Sequence, residues 1–165
     1  MSEPTEQHPI RVAMEARDHA AVVAQLSPDV VLYSPILGRG RFEGRAAVSL
    51  LFSVLLEEYE DWHCLAELRG PGHHVLVTQT RVHGAHIELV DVLRHDSEGQ
   101  VCEVRVMARP LSGVGTLTAV LGPALAQRRS RWRGAVMRAV TAPLPPLLRA
   151  GEWLGGRLSM PQEAR

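Results

Sequence analysis

The chain has 165 residues, of which 45% are hydrophobic and 22% charged, a composition typical of one folded domain and not of a disordered chain. The formal net charge is zero, but residues 128–165 hold eight arginines against two acidic residues, a charge of +6. Residues 1–127 hold ten arginines against sixteen acidic residues, a charge of −6. An acidic body with a basic tail is compatible with docking of the tail on the body or on an anionic partner, and the alternative is a solvent-exposed, arginine-rich helix.

Two cysteines do not form the framework of a disulfide-rich secreted domain, and the polar first nine residues do not resemble a signal peptide. We therefore expect a soluble cytoplasmic protein. The spacing of the eight histidines matches no zinc pattern, and no phosphate-binding loop is present. We expect no metal, no cofactor and no nucleic acid.

The N-terminal part of the chain predicts helices. Apolar residues at helical spacing predict a first helix over residues 9–26, and a second over residues 45–58. Between them, β-branched and aromatic residues at 30–33 predict a short strand, followed by a glycine-rich turn over residues 38–44.

From residue 60 the apolar pattern changes to a period of two. It predicts four strands joined by short turns, which is typical of an antiparallel meander. These strands cover residues 60–69, 74–83, 86–95 and 101–109. Helices followed by a meander predict an α+β fold, with the N-terminal helices packed on one face of a curved antiparallel sheet.

The tail predicts three further helical stretches over residues 111–129, 131–140 and 147–158, with glycines weakening the first and prolines separating the other two. It is rich in arginine and in apolar side chains, including two of the three tryptophans. We expect it to pack on its own acidic domain near the pocket mouth or the dimer face. An anionic membrane is the alternative docking surface.

Asp91 is the candidate functional residue that the strand pattern singles out. Alternate side chains of a strand point to opposite faces, so Asp91 shares an apolar face with Leu89 and Leu93. Apolar surroundings raise the pKa of a carboxyl, and a neutral carboxylic acid donates a hydrogen bond to a carbonyl or enolate oxygen. The structural alternative is an aspartate that pairs with a backbone amide or with an arginine such as Arg81 or Arg109.

The run over residues 86–101, with its acidic strand, its Leu93-Arg94 pair and its Asp96-x-x-Gly99 turn, closely resembles the ketosteroid isomerase and SnoaL-like branch of the NTF2-like superfamily. Ser34-Pro35 and the segment 107–111 fit the same family. The resemblance covers residues 9–111 and implies a cone-shaped NTF2-like domain over 1–111. Residues 112–165 then form a helical, arginine-rich C-terminal extension that packs on the domain.

The isomerases have three functional positions, and this sequence has a matching residue at one of them. Asp91 matches the neutral aspartate of their oxyanion hole, whereas Ser34 stands at the position of the general base and no phenol stands near Ile10. We therefore take Tyr33 and His63 as candidates to assist Asp91 in catalysis. The expected ligand-binding residues are Leu89, Leu93, Val104, Val106, Gln79 and Ser34.

Two functions remain open at this point. The first is a SnoaL-like enzyme that performs isomerase-, cyclase- or hydratase-type acid–base chemistry on a small apolar molecule, centred on Asp91. The second is a non-catalytic ligand-binding or dimerisation module with the same fold. Val90, Val92 and Met107 form an apolar patch on the predicted outer sheet face, which favours a homodimer.

Overall fold

The structure is a computed structural model that describes residues 7–38 and 40–159. The ends of the predicted domain and extension, residues 1–6 and 160–165, lie outside the described residues. The helices are α1 (Pro9–Glu15), α2 (His19–Ala24), α3 (Arg45–Glu58), α4 (Leu111–Arg129), α5 (Arg131–Thr141) and α6 (Leu144–Ser159). The strands are β1 (Leu26–Tyr33), β2 (Arg41–Glu43), β3 (Glu60–Gly70), β4 (His73–Val82), β5 (Ala85–His95) and β6 (Val101–Arg109).

The strands form one six-stranded sheet in the order β2-β1-β6-β5-β4-β3. Strands β3 to β6 form the predicted antiparallel meander, with Asp91 opposite Leu76 on β4 and Val106 on β6. The sheet is mixed, because β1 pairs with β6 in parallel. The α+β class is thus confirmed, and the expectation of a purely antiparallel sheet is corrected at this one pairing.

The predicted first helix is two helices. Asp18 caps α2, because its carboxylate accepts a hydrogen bond from the Ala21 amide at 3.0 Å, and Arg17 before it has a positive φ of 54°. An aspartate that caps a new helix ends the preceding one. Strand β1 also begins earlier than expected, at Leu26, with a register shift before Val31.

Helices α1, α3 and α4 cover one face of the sheet, and the core lies between them and the alternate side chains of β4, β5 and β6. On β4 the inward side chains are those of His74, Leu76, Thr78, Thr80 and Val82. Inward and outward residues alternate along the central strands, as the sequence pattern predicts. This alternation decides which side chains reach the interior.

The glycines of α4 let it pack closely on both sides. A Cβ on Gly113 would lie 2.5 Å from the His86 carbonyl oxygen, and one on Gly122 would lie 3.0 Å from the Met137 methyl carbon. Helices α5 and α6 pack mainly on α4. None of the described helices combines the length and the apolarity that crossing a bilayer requires.

Candidate functional site

Asp91 sits in the middle of β5 and faces a cavity between the sheet and the helices. Leu89 and Leu93 flank it along the strand, and Leu76 and Val106 lie opposite it on the neighbouring strands. The carboxyl group is therefore surrounded by aliphatic side chains, as the alternation of β5 predicts.

The walls of the cavity come from both ends of the chain. The sheet supplies Leu32, Leu76, Leu89, Asp91, Leu93, Val104 and Val106, and the segment after β1 supplies Ser34, Pro35 and Ile36. The helices and the start of β3 supply Ile10, Met14, Leu51, Phe52, Leu55, Tyr59, Trp62, Leu117 and Leu121. Leu117 and Leu121 belong to α4, so the extension completes the cavity instead of standing apart from it.

The open space in this cavity is about 60 Å³. One water molecule needs about 10–15 Å³, so the space suits a few water molecules or a small organic ring. A larger ligand can enter only if one of the walls moves outward.

Asp91 makes no hydrogen bond or ion pair with any residue in the ranges 7–38 and 40–159. Asp91 keeps intermediate accessibility because it borders the cavity, and its enclosure by the sheet and helices raises the pKa of its carboxyl to about 7; no cation among the described residues offsets this effect. The two arginines considered as partners are engaged elsewhere: Arg81 pairs with Asp61, and the Arg109 Nε donates to Glu88 at 2.7 Å. Near neutral pH, both the acid and the carboxylate form of Asp91 are therefore populated.

Tyr59 is a cavity residue that the sequence reasoning missed. It directly follows α3, where its amide donates to the Leu55 carbonyl at 2.8 Å, and its side chain is only 6% exposed. Burial, and then the nearby charge of Asp91, raise the pKa of the Tyr59 phenol, so the phenol stays protonated. Its hydroxyl makes no hydrogen bond to any described residue. A phenol donor is thus available beside the carboxyl.

Six of the nine sequence-predicted site residues line the cavity. Asp91 is the only titratable one among them, and Ser34 uses its hydroxyl oxygen to accept a hydrogen bond from the Ile36 amide at 3.3 Å. The other four are the aliphatic residues Leu89, Leu93, Val104 and Val106.

Tyr33, His63 and Gln79 lie outside the cavity lining, and we remove them from the candidate site. On β1, Leu32 faces the cavity, so Tyr33 points the other way, where the Arg105 guanidinium lies 4.5 Å from its ring centroid. Strand alternation turns Gln79 outward for the same reason, to within 3.3 Å of the His86 ring.

On β3 the residue that lines the cavity is Trp62, and its neighbour His63 is exposed. The His63 ring is 2.8 Å from the Asp61 carbonyl oxygen, which ties it to its own strand. Of the described residues that line the cavity, only Asp91 and Tyr59 titrate.

A second buried carboxylate, Glu67 of β3, lies where α1 begins. It accepts hydrogen bonds from the Arg11 guanidinium at 3.0 Å and the His8 amide at 2.7 Å, and lies 2.7 Å from the His74 ring. Burial by itself raises the pKa of Glu67, but these three partners outweigh burial and hold the pKa below its usual value. This carboxylate is fully occupied by the fold.

His8 caps α1 within the same cluster. Its Nδ1 accepts a hydrogen bond from the Ile10 amide at 3.1 Å, and its Nε2 lies 2.9 Å from the Nε2 of His95. An Nδ1 that accepts carries no proton, so His8 is neutral and its Nε2 is the donor to His95. Burial, then the nearby His74 and His95 rings, lower the pKa of His8 to about 4.

No protein-family model and no curated protein matches this chain. Solved structures do. A steroid delta-isomerase from Pseudomonas aeruginosa is 27% identical, matches over 72% of this chain and 88% of its own, and has a TM-score of 0.67. An NTF2-like protein of unknown function from Mesorhizobium loti is 14% identical over 61% of this chain and 85% of its own, with a TM-score of 0.56.

A third similar structure is SalBIII, described as an epoxide hydrolase/cyclase-like enzyme in pyran ring formation in the polyether salinomycin. It is 17% identical over 59% of this chain and 83% of its own, with a TM-score of 0.52. The second and third similarities extend to the fold alone, because their identities are low. Together the three structures show that the chain has the NTF2-like fold, which the resemblance over residues 9–111 implies.

Proposed function

We propose that the cavity binds a small, largely apolar molecule carrying a carbonyl oxygen, and that Asp91 exchanges a proton with this molecule. One observation carries the proposal: Asp91 faces an apolar cavity with no hydrogen bond or ion pair to any described residue. A carboxyl that only stabilised the fold would be paired, because an unpaired buried polar group is costly.

The chemistry follows from the two titratable side chains. The carboxylate form of Asp91 removes a proton from the carbon next to a carbonyl, and the Tyr59 hydroxyl donates a hydrogen bond to the enolate oxygen that forms. The resulting acid form of Asp91 returns the proton to the same carbon or to another carbon of the conjugated system. Return to another carbon is an isomerisation, return to the same carbon is a hydrogen exchange, and neither consumes another reactant.

Two comparisons support this class of reaction. The similar Pseudomonas aeruginosa protein is a steroid delta-isomerase, and SalBIII is described as epoxide hydrolase/cyclase-like. The phenol expected near Ile10 is absent from the first helix, but Tyr59 brings a phenol to the cavity from the end of α3. Ser34 does not replace a carboxylate base, so Asp91 itself is the base in this proposal.

The second candidate function is binding without catalysis. It is favoured by the small number of titratable groups, since a single carboxyl must both accept and release the proton. In that case Asp91 and Tyr59 only donate hydrogen bonds that orient the ligand.

Deuterium exchange separates the two candidates. The full-length protein is incubated in D₂O with cyclopentanone, a small cyclic ketone, and ¹H NMR follows the loss of the protons next to the carbonyl. We expect protein-dependent exchange that D91N lowers by about 100-fold or more, the usual contribution of a general base. Y59F should lower it as well, because an oxyanion donor is lost.

The matched control is D61N, which removes an exposed carboxylate that pairs with Arg81 and should leave exchange unchanged. Exchange that D91N does not affect would overturn the catalytic role. Ketone-induced shifts of the Leu89 and Val104 methyl signals without any exchange would establish the binding function instead.

We also propose that the outer sheet face forms a homodimer. Val90 and Val92 are half-buried there and Met107 is 55% exposed, with charged residues such as Glu103 and Arg105 around them. Light scattering at micromolar concentration should give the mass of a dimer, and M107E should give a monomer with an unchanged circular dichroism spectrum. A monomer for the unmodified protein contradicts the proposal.

A further inference from the structure

The last two helices of the described chain carry apolar stripes that are half or more exposed to solvent. On α5 the stripe consists of Trp132, Val136 and Val140, spaced four residues apart, with Trp132 and Val140 each 64% exposed. On α6 the stripe consists of Leu147, Leu154 and Leu158, and no residue of this helix is buried. Two amphipathic helices thus present their apolar sides to solvent.

The two stripes lie on the same side of the protein. Met137 of α5 packs at Gly122 of α4, and Leu148 of α6 packs at Gly115 of α4. These two glycines are seven residues apart and therefore lie on one face of α4. Helices α5 and α6 therefore follow one another along α4, both antiparallel to it.

In each of the two helices, a residue of the apolar stripe directly precedes the side chain that contacts α4. One residue corresponds to a rotation of about 100° around the helix axis, so the stripe lies beside the α4 contact. Val136 precedes Met137, and Leu147 precedes Leu148, so the offset has the same sense in both helices. The two stripes consequently form one apolar ridge, which we call the tail ridge: Trp132, Val136, Val140, Leu147, Leu154 and Leu158. The opposite face of α4, with Leu117 and Leu121, is turned to the cavity.

The chain segment that carries the tail ridge is rich in arginine, and Arg133 and Arg157 flank the ridge. Residues 128–159 contain seven arginines and one acidic residue, a charge of +6. The one acidic residue is Glu152 of α6. Its carboxylate accepts a hydrogen bond at 2.8 Å from the Ser112 amide at the start of α4. Among the described residues, Arg128 pairs with Glu57 and the other six arginines form no ion pair. Arg133 lies 5.7 Å from the Trp132 ring centroid and Arg157 lies 5.2 Å from that of Trp153.

We propose that the tail ridge docks flat on an anionic lipid surface. The ridge would enter the boundary between head groups and acyl chains, tryptophans would lie at head-group level, and Arg133 and Arg157 would contact lipid phosphates. A second copy of the chain fits less well, because a symmetric ridge-to-ridge contact would bring two sets of unpaired arginines together. The helices would lie in the plane of the membrane and would not cross it.

Co-sedimentation of the full-length protein with vesicles tests the proposal. One set of vesicles is phosphatidylcholine with about a quarter phosphatidylglycerol, and the other is phosphatidylcholine alone. We expect binding to the first set to be about ten-fold tighter or more, and to weaken as salt rises. W132S/L154S should abolish binding without changing the thermal midpoint, because both side chains are exposed in the free protein.

Charge variants separate the ridge from general electrostatic attraction. R133Q/R157Q should weaken binding several-fold, whereas R41Q/R69Q, which removes the same charge from exposed positions of β2 and β3, should have little effect. Three results would overturn the proposal: no binding to either set, equal binding to both sets, or unchanged binding of W132S/L154S. A protein dimer that W132S/L154S dissociates, without vesicle binding, would assign the ridge to a second copy instead.

Discussion

Asp91 and Glu67 are two carboxylates in the same sheet, and their environments oppose each other. Asp91 faces aliphatic side chains and has no partner among the described residues, so burial alone raises its pKa to about 7. Burial acts on Glu67 in the same direction, yet Arg11, the His8 amide and His74 together lower its pKa. The partners, and not burial, decide the sign of the shift.

The difference separates a structural role from a functional one. A carboxylate whose two oxygens hold Arg11, His8 and His74 in place is engaged by the fold and does not face a cavity. A carboxyl left alone in a cavity is costly to the fold, and sites with such costs are where function is most often found. The contrast supports the functional role proposed for Asp91 and indicates a structural role for Glu67.

The largest expected effect comes from D91N. Because the pKa of Asp91 is raised in the folded state, the folded protein holds this proton at pH values where the unfolded chain has lost it. Stability should therefore fall as pH rises from about 4 to 7, by at most about 4 kcal/mol. D91N should remove this fall and stabilise the protein at pH 7, as urea unfolding across pH measures.

D61N is the control for this prediction, because Asp61 is exposed and its ion pair with Arg81 contributes at most about 1 kcal/mol. If D91N destabilises the protein at pH 7, Asp91 is paired in solution and the contrast with Glu67 fails.

E67Q should destabilise the protein, whereas D91N should stabilise it. The E67Q substitution leaves Arg11 and the buried His74 without their carboxylate, and breaking such a pair costs about 3 kcal/mol. Urea unfolding at pH 7 measures the loss. E15Q removes the exposed partner of the same Arg11 and should cost much less. A loss for E67Q no larger than that for E15Q would show that Glu67 does not organise the cluster.

Substitution of His8 should have the smallest effect on stability and tests its role as the N-cap of α1. H8A should cost about 1 kcal/mol, because the Ile10 amide loses its acceptor, whereas H8N should keep the cap. The pKa of His8 is lowered when folded, so its contribution is present above pH 6.5 and is lost as pH falls towards 4. H8N should reduce this loss of stability at acid pH. If H8N loses as much stability at acid pH as the unmodified protein, a group other than His8 causes the loss.

The fold was largely predictable because its signals are local. The change of apolar period at residue 60 predicts the meander, and the alternation along β5 predicts that Asp91 shares a face with Leu89 and Leu93. The parity of β6 likewise predicts that Val104 and Val106 face inward. Each inference needs only neighbours along one strand.

The features that the sequence did not predict depend on contacts between segments that are far apart in the chain. Tyr59 enters the cavity through the turn between α3 and β3, a geometry that no periodicity describes. The cluster around Glu67 joins His8, His74 and His95 from separate elements. His63 was chosen for its chemistry, although register shifts on β3 and the packing of Trp62 leave it exposed.

The most direct test of the central claim is the titration of Asp91 itself. In protein labelled with ¹³C at the aspartate and glutamate carboxyl carbons, NMR follows Asp91 and Glu67 in one experiment, with D91N and E67Q to assign the signals. The account predicts a midpoint near pH 7 for Asp91 and a midpoint below the ordinary glutamate value for Glu67. An Asp91 midpoint at or below the ordinary value of about 4 would contradict it, because the carboxyl would then be paired or solvated.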